Sequence, residues 1–376
     1  LEAEADKLRS EIAALEKLLA SPSAVRAQVS DELGEAAERF ATPRRTLLTA
    51  SNAATSAAGP RSAKAATPLE HADTPCLVLL SATGRIARVD QAEGDTAITL
   101  TTPTRRSKHD AIRSRVLTSS RSEIGAVTSR GRLIRFSPLE LPVMPANSVQ
   151  LAAGVKISDY LAVTDRTEQV LAIIDLSGPQ SLALGTAQGV VKRVAPGGYP
   201  AKPECELIAL KPGDSVVGAA PATDDDEFVF VTAEAQLLRF AAASVRPQGI
   251  SAGGMAGIKL AGNDRVVCFS VVGAAEDTIV VTIATSAETL TGVEPGSAKV
   301  SAFNEFPAKG RATGGVRAQR FLKGESELAL AWVGASPARA LGADGSLREL
   351  PSTLAKRDAS GSALDAPVDA IGESIA

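Results

Sequence analysis

A dense run of basic side chains between positions 105 and 135 is the part of this sequence with the clearest chemical potential. Only two acidic residues, Asp110 and Glu123, interrupt it. Cationic side chains that replace the counterions condensed on nucleic acid gain affinity without contacting any base. We therefore expect a phosphate-rich partner. The basic members of the run are Arg105, Arg106, Lys108, Arg113, Arg115, Arg121, Arg130, Arg132 and Arg135.

The residues that most often bind metals are few and far apart. The two histidines, His71 and His109, and the three cysteines, Cys76, Cys205 and Cys268, form no CxxC or HxxxH pair. Three dispersed cysteines do not suggest a disulfide framework either, which fits a reducing cytoplasm. We therefore expect no metal site and no cofactor in this chain.

Two further motifs suggest catalysis or nucleotide binding only superficially. Tyr160 and Tyr199 lie inside repeated segments, and Tyr199 belongs to a Gly-Gly-Tyr-Pro turn, so structural roles are expected for both. Residues 309–315 contain lysine and glycine but lack the GxxxxGK[ST] order of a phosphate-binding loop. The sequence predicts no catalytic residue.

The first 47 residues predict a helical arm. Apolar residues recur every three or four positions from Leu1 to Leu19, and again from Val25 to Phe40. Ser21 is placed to cap the second helix, with Pro22 in its first turn. Residues 48–75, rich in Ala, Ser, Thr and Pro, predict a linker.

A repeated unit fills residues 76–354: a short apolar strand, a polar turn, and a second strand that carries Arg or Lys. The spacing between turns is 46 to 58 residues, typical of a four-stranded propeller blade. Six blades bury their faces when they form a ring. We therefore predict a mainly β, six-bladed domain, followed by a disordered tail, residues 355–376. The predicted turn positions are Gly84, Gly131, Gly189, Ala235, roughly Glu288, and Gly345.

The candidate DNA contacts are the basic residues that recur through these repeats. A second signature, Gly followed by an apolar and a basic residue, contributes Lys156, Lys259 and Arg317. The full set of candidates is Arg85, Arg88, Arg105, Arg106, Lys108, Arg113, Arg115, Arg130, Arg132, Arg135, Lys156, Lys192, Arg193, Arg239, Lys259, Lys309, Arg311 and Arg317.

Charge distribution and aromatic content favour duplex DNA as the partner. The net charge of -3 argues against a nucleic acid, but acidic residues crowd the arm, the turn at 224–227 and the tail. Aromatic residues make up 3% of the chain, too few for the stacking platforms of single-strand binders. We therefore expect sequence-tolerant binding of a duplex that curves along the rim of the ring.

Two other interpretations stay open. Each basic residue could lie on the solvated face of a strand, and Lys156, Lys259 and Arg317 could form cross-strand ion pairs. The propeller could also be a protein-interaction scaffold with a basic surface.

No apolar stretch approaches the roughly 18 residues of a membrane span, so we expect a cytoplasmic, nucleoid-associated protein with no membrane contact.

The sequence resembles the A subunits of bacterial type IIA topoisomerases, a family that includes gyrase and topoisomerase IV. Residues 15–19, 29–33 and 40–46 resemble the returning arm of their coiled coil. The strand-turn-strand repeats, with residues 252–259 and 306–317, resemble their C-terminal domain. The resemblance implies a β-pinwheel that exchanges strands between neighbouring blades and binds and bends double-stranded DNA on its outer rim.

The resemblance also implies partners and cofactors outside this chain. In the family, the catalytic tyrosine and the Mg²⁺ site lie in regions that precede Leu1, so we expect this chain to be inactive alone. ATP binding belongs to the B subunit, and contacts with a second A subunit lie upstream. The implied activity of the full enzyme is ATP-dependent DNA topoisomerisation.

The stretch at residues 104–112 bears on the type of topoisomerase. Gyrase A subunits carry a Gln-Arg-Arg-Gly-Gly-Lys-Gly box in the first-blade region, and this stretch is basic but lacks the paired glycines. We therefore expect a topoisomerase IV subunit, with decatenation and relaxation as its activities. Gyrase is the alternative, with residues 248–254 or 309–315 as a displaced or degenerate box.

Overall fold

The computed structural model describes residues 2–40, 73–92, 94–101, 105–273, 277–286 and 295–375. The chain divides at residue 70 into a helical unit and a β unit. The predicted linker lies outside the described residues up to position 72, as do residues 41–47 of the predicted arm.

Two helices form the described part of the helical unit, α1 (Glu2–Leu19) and α2 (Pro22–Phe40). The hydroxyl of Ser21 accepts a bond from the Ala24 amide and caps α2, as predicted. No residue of either helix is buried. No helix within the described ranges is long and apolar enough to cross a membrane.

The β unit consists of short strands, because apolar and β-branched residues alternate with turn residues along the chain. A short helix, α3 (Ile157–Tyr160), and 3₁₀ turns at Pro138–Glu140, Leu151–Ala153, Ala242–Ser244 and Phe303–Glu305 lie between them. The strands in chain order are β1 (Pro75–Ser81), β2 (Arg85–Asp90), β3 (Ile112–Ser119), β4 (Ile124–Thr128), β5 (Arg132–Phe136), β6 (Val155–Lys156), β7 (Val170–Asp175), β8 (Ser181–Thr186), β9 (Val190–Val194), β10 (Glu204–Glu206), β11 (Val216–Ala222), β12 (Glu227–Thr232), β13 (Gln236–Ala241), β14 (Pro247–Gln248), β15 (Met255–Ala256), β16 (Val266–Val272), β17 (Thr278–Thr285), β18 (Ser297–Ala302), β19 (Val316–Arg317), β20 (Glu327–Ala335), β21 (Arg339–Leu341), β22 (Leu347–Arg348), β23 (Ser362–Ala363) and β24 (Ala370–Gly372).

These strands form six sheets, which are the six predicted blades. From the central channel outward, blade 1 is β3-β1-β2-β6, blade 2 is β7-β4-β5-β10 and blade 3 is β11-β8-β9 with β14 and β15. Blade 4 is β16-β12-β13-β19, blade 5 is β20-β17-β18-β23 and blade 6 is β24-β21-β22. Residues of the innermost strand of every blade line the channel. The prediction of a mainly β, six-bladed pinwheel is confirmed.

The outermost strand of each of the first five blades comes from chain that follows the hairpin of the next blade. Strand β6 follows the blade 2 hairpin but pairs with β2 of blade 1, through Arg85 opposite Lys156. Strands β10, β15, β19 and β23 repeat this exchange in blades 2 to 5. Each blade is thus completed by its neighbour, which covers the sheet edge.

One hydrogen bond recurs at every exchange. A turn residue with positive φ directs its carbonyl to an amide of the exchanged segment, at 2.7 to 3.0 Å. Five predicted turn positions have this conformation, including Ala235, whereas Glu288 lies outside the described residues and Gly296 takes that place in blade 5. The bonds join Ile157 to Gly84, Leu207 to Gly131, Gly257 to Gly189, Ala318 to Ala235, Leu364 to Gly296 and His109 to Gly345.

The sixth bond closes the ring, because His109 belongs to blade 1 and Gly345 to blade 6. Ile112 and Glu373 also exchange two backbone bonds of 2.8 Å between the same blades. The Arg106 guanidinium pairs with the buried Asp110 carboxylate at 3.0 Å. It also donates to the carbonyls of Ala340 and Arg348 in blade 6.

The prediction of a disordered tail at residues 355–376 is wrong for the described part, residues 355–375. Strand β23 completes blade 5 and β24 is the innermost strand of blade 6. The propeller therefore extends beyond the predicted boundary at residue 354. The sequence suggested otherwise because these strands are two or three residues long and depend on distant partners.

The core consists of apolar clusters between adjacent blades. The rings of Phe228, Phe230, Phe240 and Phe269 pack together between blades 3 and 4, with neighbouring centroids 4.9 to 6.1 Å apart. A Cβ atom at Gly185 would lie 2.2 Å from the Phe269 ring, so that position has no room for a side chain. This packing fixes the angle between neighbouring blades.

Replacement of Arg106 by Gln is expected to lower the free energy of unfolding by about 3 kcal/mol, because the buried Asp110 carboxylate loses its cation. Chemical denaturation measures the change. Arg105→Gln is the matched control, since the exposed Arg105 side chain has no bonded partner within the described part of the chain. That variant should stay within about 0.5 kcal/mol of wild type, and equal losses in the two variants would contradict a closing role for Arg106.

Candidate nucleic-acid interface

Four predicted DNA contacts point into the protein. Arg88, Arg135, Arg193 and Arg239 each stand four residues after a blade turn, and none of the four is exposed. Their guanidinium groups bind the loop that follows the hairpin of the next blade. The assignment of these four residues to DNA binding is therefore wrong, and they clamp adjacent blades together.

Arg193 illustrates the clamp between blades 3 and 4. Its guanidinium donates to the Ser181 hydroxyl at 2.9 Å and to the carbonyls of Ala242 and Val245 at 3.3 and 3.2 Å. An ion pair of 2.6 Å joins it to Asp224. In the other blades the partners are Pro138, Leu139 and Asp90 for Arg88, Tyr199, Pro200 and Glu123 for Arg135, and Glu227 and the Phe303 ring for Arg239.

Lys192 is a second predicted contact that the fold buries. Its side chain is inaccessible to solvent, and the ammonium donates to the carbonyls of Leu207, Ile250 and Ala252 at 2.6 to 2.8 Å. Lys299 occupies the equivalent place in blade 5, where its ammonium donates to three carbonyls of the exchanged segments. Lys192 therefore cannot contact DNA, and both lysines hold exchanged segments in place.

The basic run between positions 105 and 135 is largely neutralised by internal carboxylates. Arg132 binds Glu168 at 2.6 Å and Glu204 at 2.5 Å, and these hydrogen bonds raise its pKa. Burial opposes the change, but the hydrogen bonds from Arg132 and Thr128 together with the charges of Arg132 and Arg130 lower the pKa of the Glu168 carboxylate. The other ion pairs of the run are Arg106 with Asp110, Lys108 with Asp344, Arg115 with Glu373, Arg130 with Asp165 and Glu168, and Arg135 with Glu123.

Arg106 therefore has a structural role, and its prediction as a DNA contact is wrong. Arg132 also has a structural role, but 29% of its side chain is exposed, so DNA contact there stays a prediction. Arg85 donates to the Gly154 carbonyl across the blade 1 exchange. Arg113 lies in the central channel, away from the outer rim. Lys108, Arg115 and Arg130 keep part of their side chains in solvent, so for them DNA contact stays a prediction.

Six predicted contacts lie on outer segments of the blades, and we call them the rim cations. Their side chains have no carboxylate partner among the residues that the structure describes. Lys156 lies on β6 of blade 1, and Arg317 on β19 of blade 4. The rim cations are Arg105, Lys156, Lys259, Lys309, Arg311 and Arg317.

Four rim cations cluster where blades 3 and 4 meet. The amide of Ala312 donates to the Gly257 carbonyl at 2.7 Å, and the amide of Lys259 donates to Thr313 at 3.0 Å. These bonds join the segment after β15 to the loop before β19. Two adjoining chain segments therefore carry the four rim cations Lys259, Lys309, Arg311 and Arg317. Two further exposed basic residues, Arg246 and Arg320, lie nearby in the sequence.

The rim is acidic at blade 2. Strand β10, the outer strand there, carries Glu204 and Glu206, although Glu204 is paired with Arg132.

Arg246 and Arg320 were not selected from the sequence, because neither follows a repeat turn or the Gly-apolar-basic signature. The sequence feature that could have identified them is that no acidic residue lies next to either one in the chain.

Both tyrosines have internal roles. The Tyr160 hydroxyl donates to the Ser137 carbonyl at 2.8 Å, and its ring meets Phe136 edge-on at 5.9 Å. Burial raises the pKa of Tyr199 to about 12. Each hydroxyl is thus held or desolvated by the fold.

Known proteins are similar to this chain both in sequence and in fold. The family model "DNA gyrase C-terminal domain, beta-propeller" matches residues 126–161, 226–272 and 296–328. The chain is 28% identical over 340 residues to the DNA gyrase A protein of Mycobacterium bovis, covering 82% of this chain and 35% of the relative. The DNA gyrase A protein of Salmonella typhimurium is 29% identical over 213 residues, which cover 56% of this chain and 23% of the relative.

The crystal structure of the C-terminal domain of DNA topoisomerase IV superposes with a TM-score of 0.59 at 20% identity, covering 80% of this chain and 93% of that one. The C-terminal domain of DNA gyrase A gives a TM-score of 0.55 at 18% identity, covering 80% and 100%. The chain is thus similar in sequence to DNA gyrase A proteins, and its fold is similar to that of the two solved C-terminal domains. It spans about a third of the length of the gyrase proteins that it matches across most of its own length.

The two buried lysines, Lys192 and Lys299, give the β unit a specific pH dependence. Burial lowers the pKa of Lys192 and of Lys299 to about 8, from 10.5. The unfolded chain therefore binds more protons between these values, and the contribution of the lysines to the free energy of unfolding rises with pH in that window.

Urea unfolding at pH 8 and pH 10 tests this, with Lys192→Met/Lys299→Met as the comparison. The stability advantage of wild type over the double variant should grow as the pH rises. Taking this difference cancels the titration of Cys76, Cys268 and Tyr199, which both proteins share. Parallel pH profiles would show that these ammonium groups keep their ordinary pKa.

Proposed function

We propose that this domain binds duplex DNA along its outer rim, with the blade 3 and blade 4 cluster as the principal contact. The observation that carries the proposal is the difference between the rim cations and the other basic residues. Most of the others are bound to carboxylates or to carbonyls inside the ring. The rim cations have no carboxylate partner in the described chain and lie on outer segments, although Lys309 and Arg311 each donate to one backbone carbonyl there. Phosphates can therefore take the place of their counterions.

The cluster suits phosphate contacts rather than base recognition. Lysine and arginine side chains on short exchanged strands can follow a phosphate backbone, which positions a duplex without selecting its sequence. A duplex that touches more than one blade has to bend around the ring. Bending a site of 20–30 base pairs by 40–90° costs on the order of 1–6 kcal/mol, so several phosphate contacts are needed to offset it.

The variant Lys259→Gln/Lys309→Gln/Arg317→Gln is expected to weaken duplex binding and its salt dependence together. Each phosphate contact contributes about 0.9 to the slope of log affinity against log salt, so the slope should fall by roughly 2 to 3. Fluorescence anisotropy of a labelled duplex between 50 and 200 mM salt measures both quantities.

The matched control is Lys7→Gln/Lys17→Gln/Arg265→Gln, which removes the same charge from exposed positions that are not candidate contacts. Its salt slope should stay near that of wild type. If the two triple variants lose affinity equally, net charge alone governs binding. Salt-independent binding by wild type would favour the scaffold interpretation.

We further propose that the domain acts within a topoisomerase A subunit that works with an ATPase B subunit, Mg²⁺ and a second A subunit. The gyrase A relatives support this placement. DNA cleavage then belongs to other parts of the A subunit, and the propeller captures and bends a duplex segment. Isolated, the chain should bind DNA without changing its topology.

Within this family we favour a topoisomerase IV subunit. The stretch that corresponds to the gyrase box contains Arg106 and His109, and the fold uses both of them to close the ring. This segment is therefore committed to an internal contact instead of being free to wrap DNA. Gyrase is the second candidate, because the relatives with detectable sequence identity include gyrase A proteins from several bacteria.

A topoisomerase assay on the A subunit that contains this chain, combined with its B subunit, decides between the two. With ATP and relaxed plasmid, we expect no negative supercoils, while supercoiled plasmid is relaxed and catenanes are unlinked. The Lys259→Gln/Lys309→Gln/Arg317→Gln change should reduce these activities. Accumulation of negatively supercoiled plasmid would assign the protein to the gyrases.

A further inference from the structure

The central channel contains a cation that the proposed rim function does not use. Arg113 lies on β3, the innermost strand of blade 1, and it lines a channel cavity of about 310 Å³. It also lines an adjoining cavity of about 370 Å³ between blades 1, 2 and 6. Volumes of this size suit small molecules and exclude a duplex.

The Arg113 guanidinium is only partly satisfied by the protein. It donates to the carbonyls of Ala82 at 2.9 Å and Val170 at 3.3 Å. A guanidinium has five N–H donors, so others remain available. Across the described residues, no carboxylate lies within ion-pair distance of Arg113.

The acidic groups nearest the channel are bound elsewhere. Glu373 pairs with Arg115, and Glu168 pairs with Arg132. Asp369, which lines the larger cavity, accepts the amide of Ala343 at 2.9 Å. The carboxylates that border these cavities are thus oriented toward other partners.

The Arg113 side chain is exposed to the channel, so an anion in the channel can reach its free N–H donors. A guanidinium that has no carboxylate partner gains charge-assisted hydrogen bonds when an anion binds these donors. Lys156 borders the larger cavity and adds a second positive charge, while Thr83, Ser158 and Gln169 supply polar groups.

We propose that this channel binds a small oxyanion, a phosphate or a phosphate monoester, at Arg113. The guanidinium presents parallel N–H donors that match two oxygens of such a group. The site is centred on Arg113 in the channel and shares only Lys156 with the rim cations. Binding there would bridge blade 1 to its neighbours through an anion held at the centre of the ring.

The sole tryptophan of the chain provides the test, because Trp332 lines the same cavity as Arg113. Inorganic phosphate is titrated into the full chain at constant ionic strength, with sodium chloride as the balancing salt. Trp332 emission should change and saturate. Glycerol 2-phosphate should compete, which extends the site to monoesters.

Arg113→Gln keeps amide donors for the two carbonyls but removes the charge, and phosphate binding should weaken at least tenfold. Arg113→Lys keeps the charge and should show intermediate affinity. Circular dichroism and thermal melting verify that both variants fold. Arg317→Gln, on the rim, should bind phosphate as wild type does.

A wild-type titration without saturable change in Trp332 emission would overturn the proposal. So would an Arg113→Gln protein that folds and binds phosphate with unchanged affinity. A response lost in Arg317→Gln and kept in Arg113→Gln would place the anion on the rim, which also refutes a channel site. None of these outcomes affects the salt dependence of duplex binding.

Discussion

The bond from a turn carbonyl to an exchanged amide is the interaction on which the rest of this ring depends. A blade of three short strands leaves its outer edge unpaired, and unpaired backbone groups are costly when they are buried. The exchanged segment satisfies that edge and ties each blade to the next. Because the turn residue needs positive φ to present its carbonyl, five of the six positions are glycine.

The same requirement explains how the chain closes on itself. Blade 6 has no later blade in the ring to supply its outer segment, so residues between β2 and β3 of blade 1 fill this role. His109 adopts positive φ there, which is uncommon for a residue with a side chain. The basic stretch around Arg106 is consequently committed to ring closure, and that removes part of the most basic segment from the surface.

Guanidinium clamps hold neighbouring blades together in a chain that has few aromatic side chains for the purpose. Aromatic residues make up only 3% of the sequence, and Arg88, Arg135 and Arg193 bind loop carbonyls across blade boundaries instead. A hydrogen bond to a charged group contributes about 1.5–3 kcal/mol, so one clamp with several acceptors offsets much of the cost of burial. Some basic side chains thus hold neighbouring blades together in the interior, and others remain on the rim.

This division limits what the sequence could predict about the site. The repeat spacing was enough to predict six blades and five of the turn residues, because each repeat carries its own local pattern. The missed turn at Gly296 and the short strands β23 and β24 depend on partners far away in the chain. For Arg193 and Arg317, the sequence offers the same signal, a basic residue on a short strand near a glycine. Only the packing of the next blade separates a clamp from a rim cation.

Charge is unevenly distributed along the rim, and this limits the path that a duplex could follow if the domain binds DNA as proposed. Lys259 and the residues of the loop before β19 adjoin one another, so phosphate contacts can continue from blade 3 to blade 4 without a gap. Toward blade 2 the duplex would meet Glu206, whose carboxylate repels phosphate and belongs to no ion pair within the described chain. Lys156 in blade 1 lies beyond that acidic strand. The contact should therefore be an arc centred on blades 3 and 4, with a bend smaller than a full turn around the ring would need.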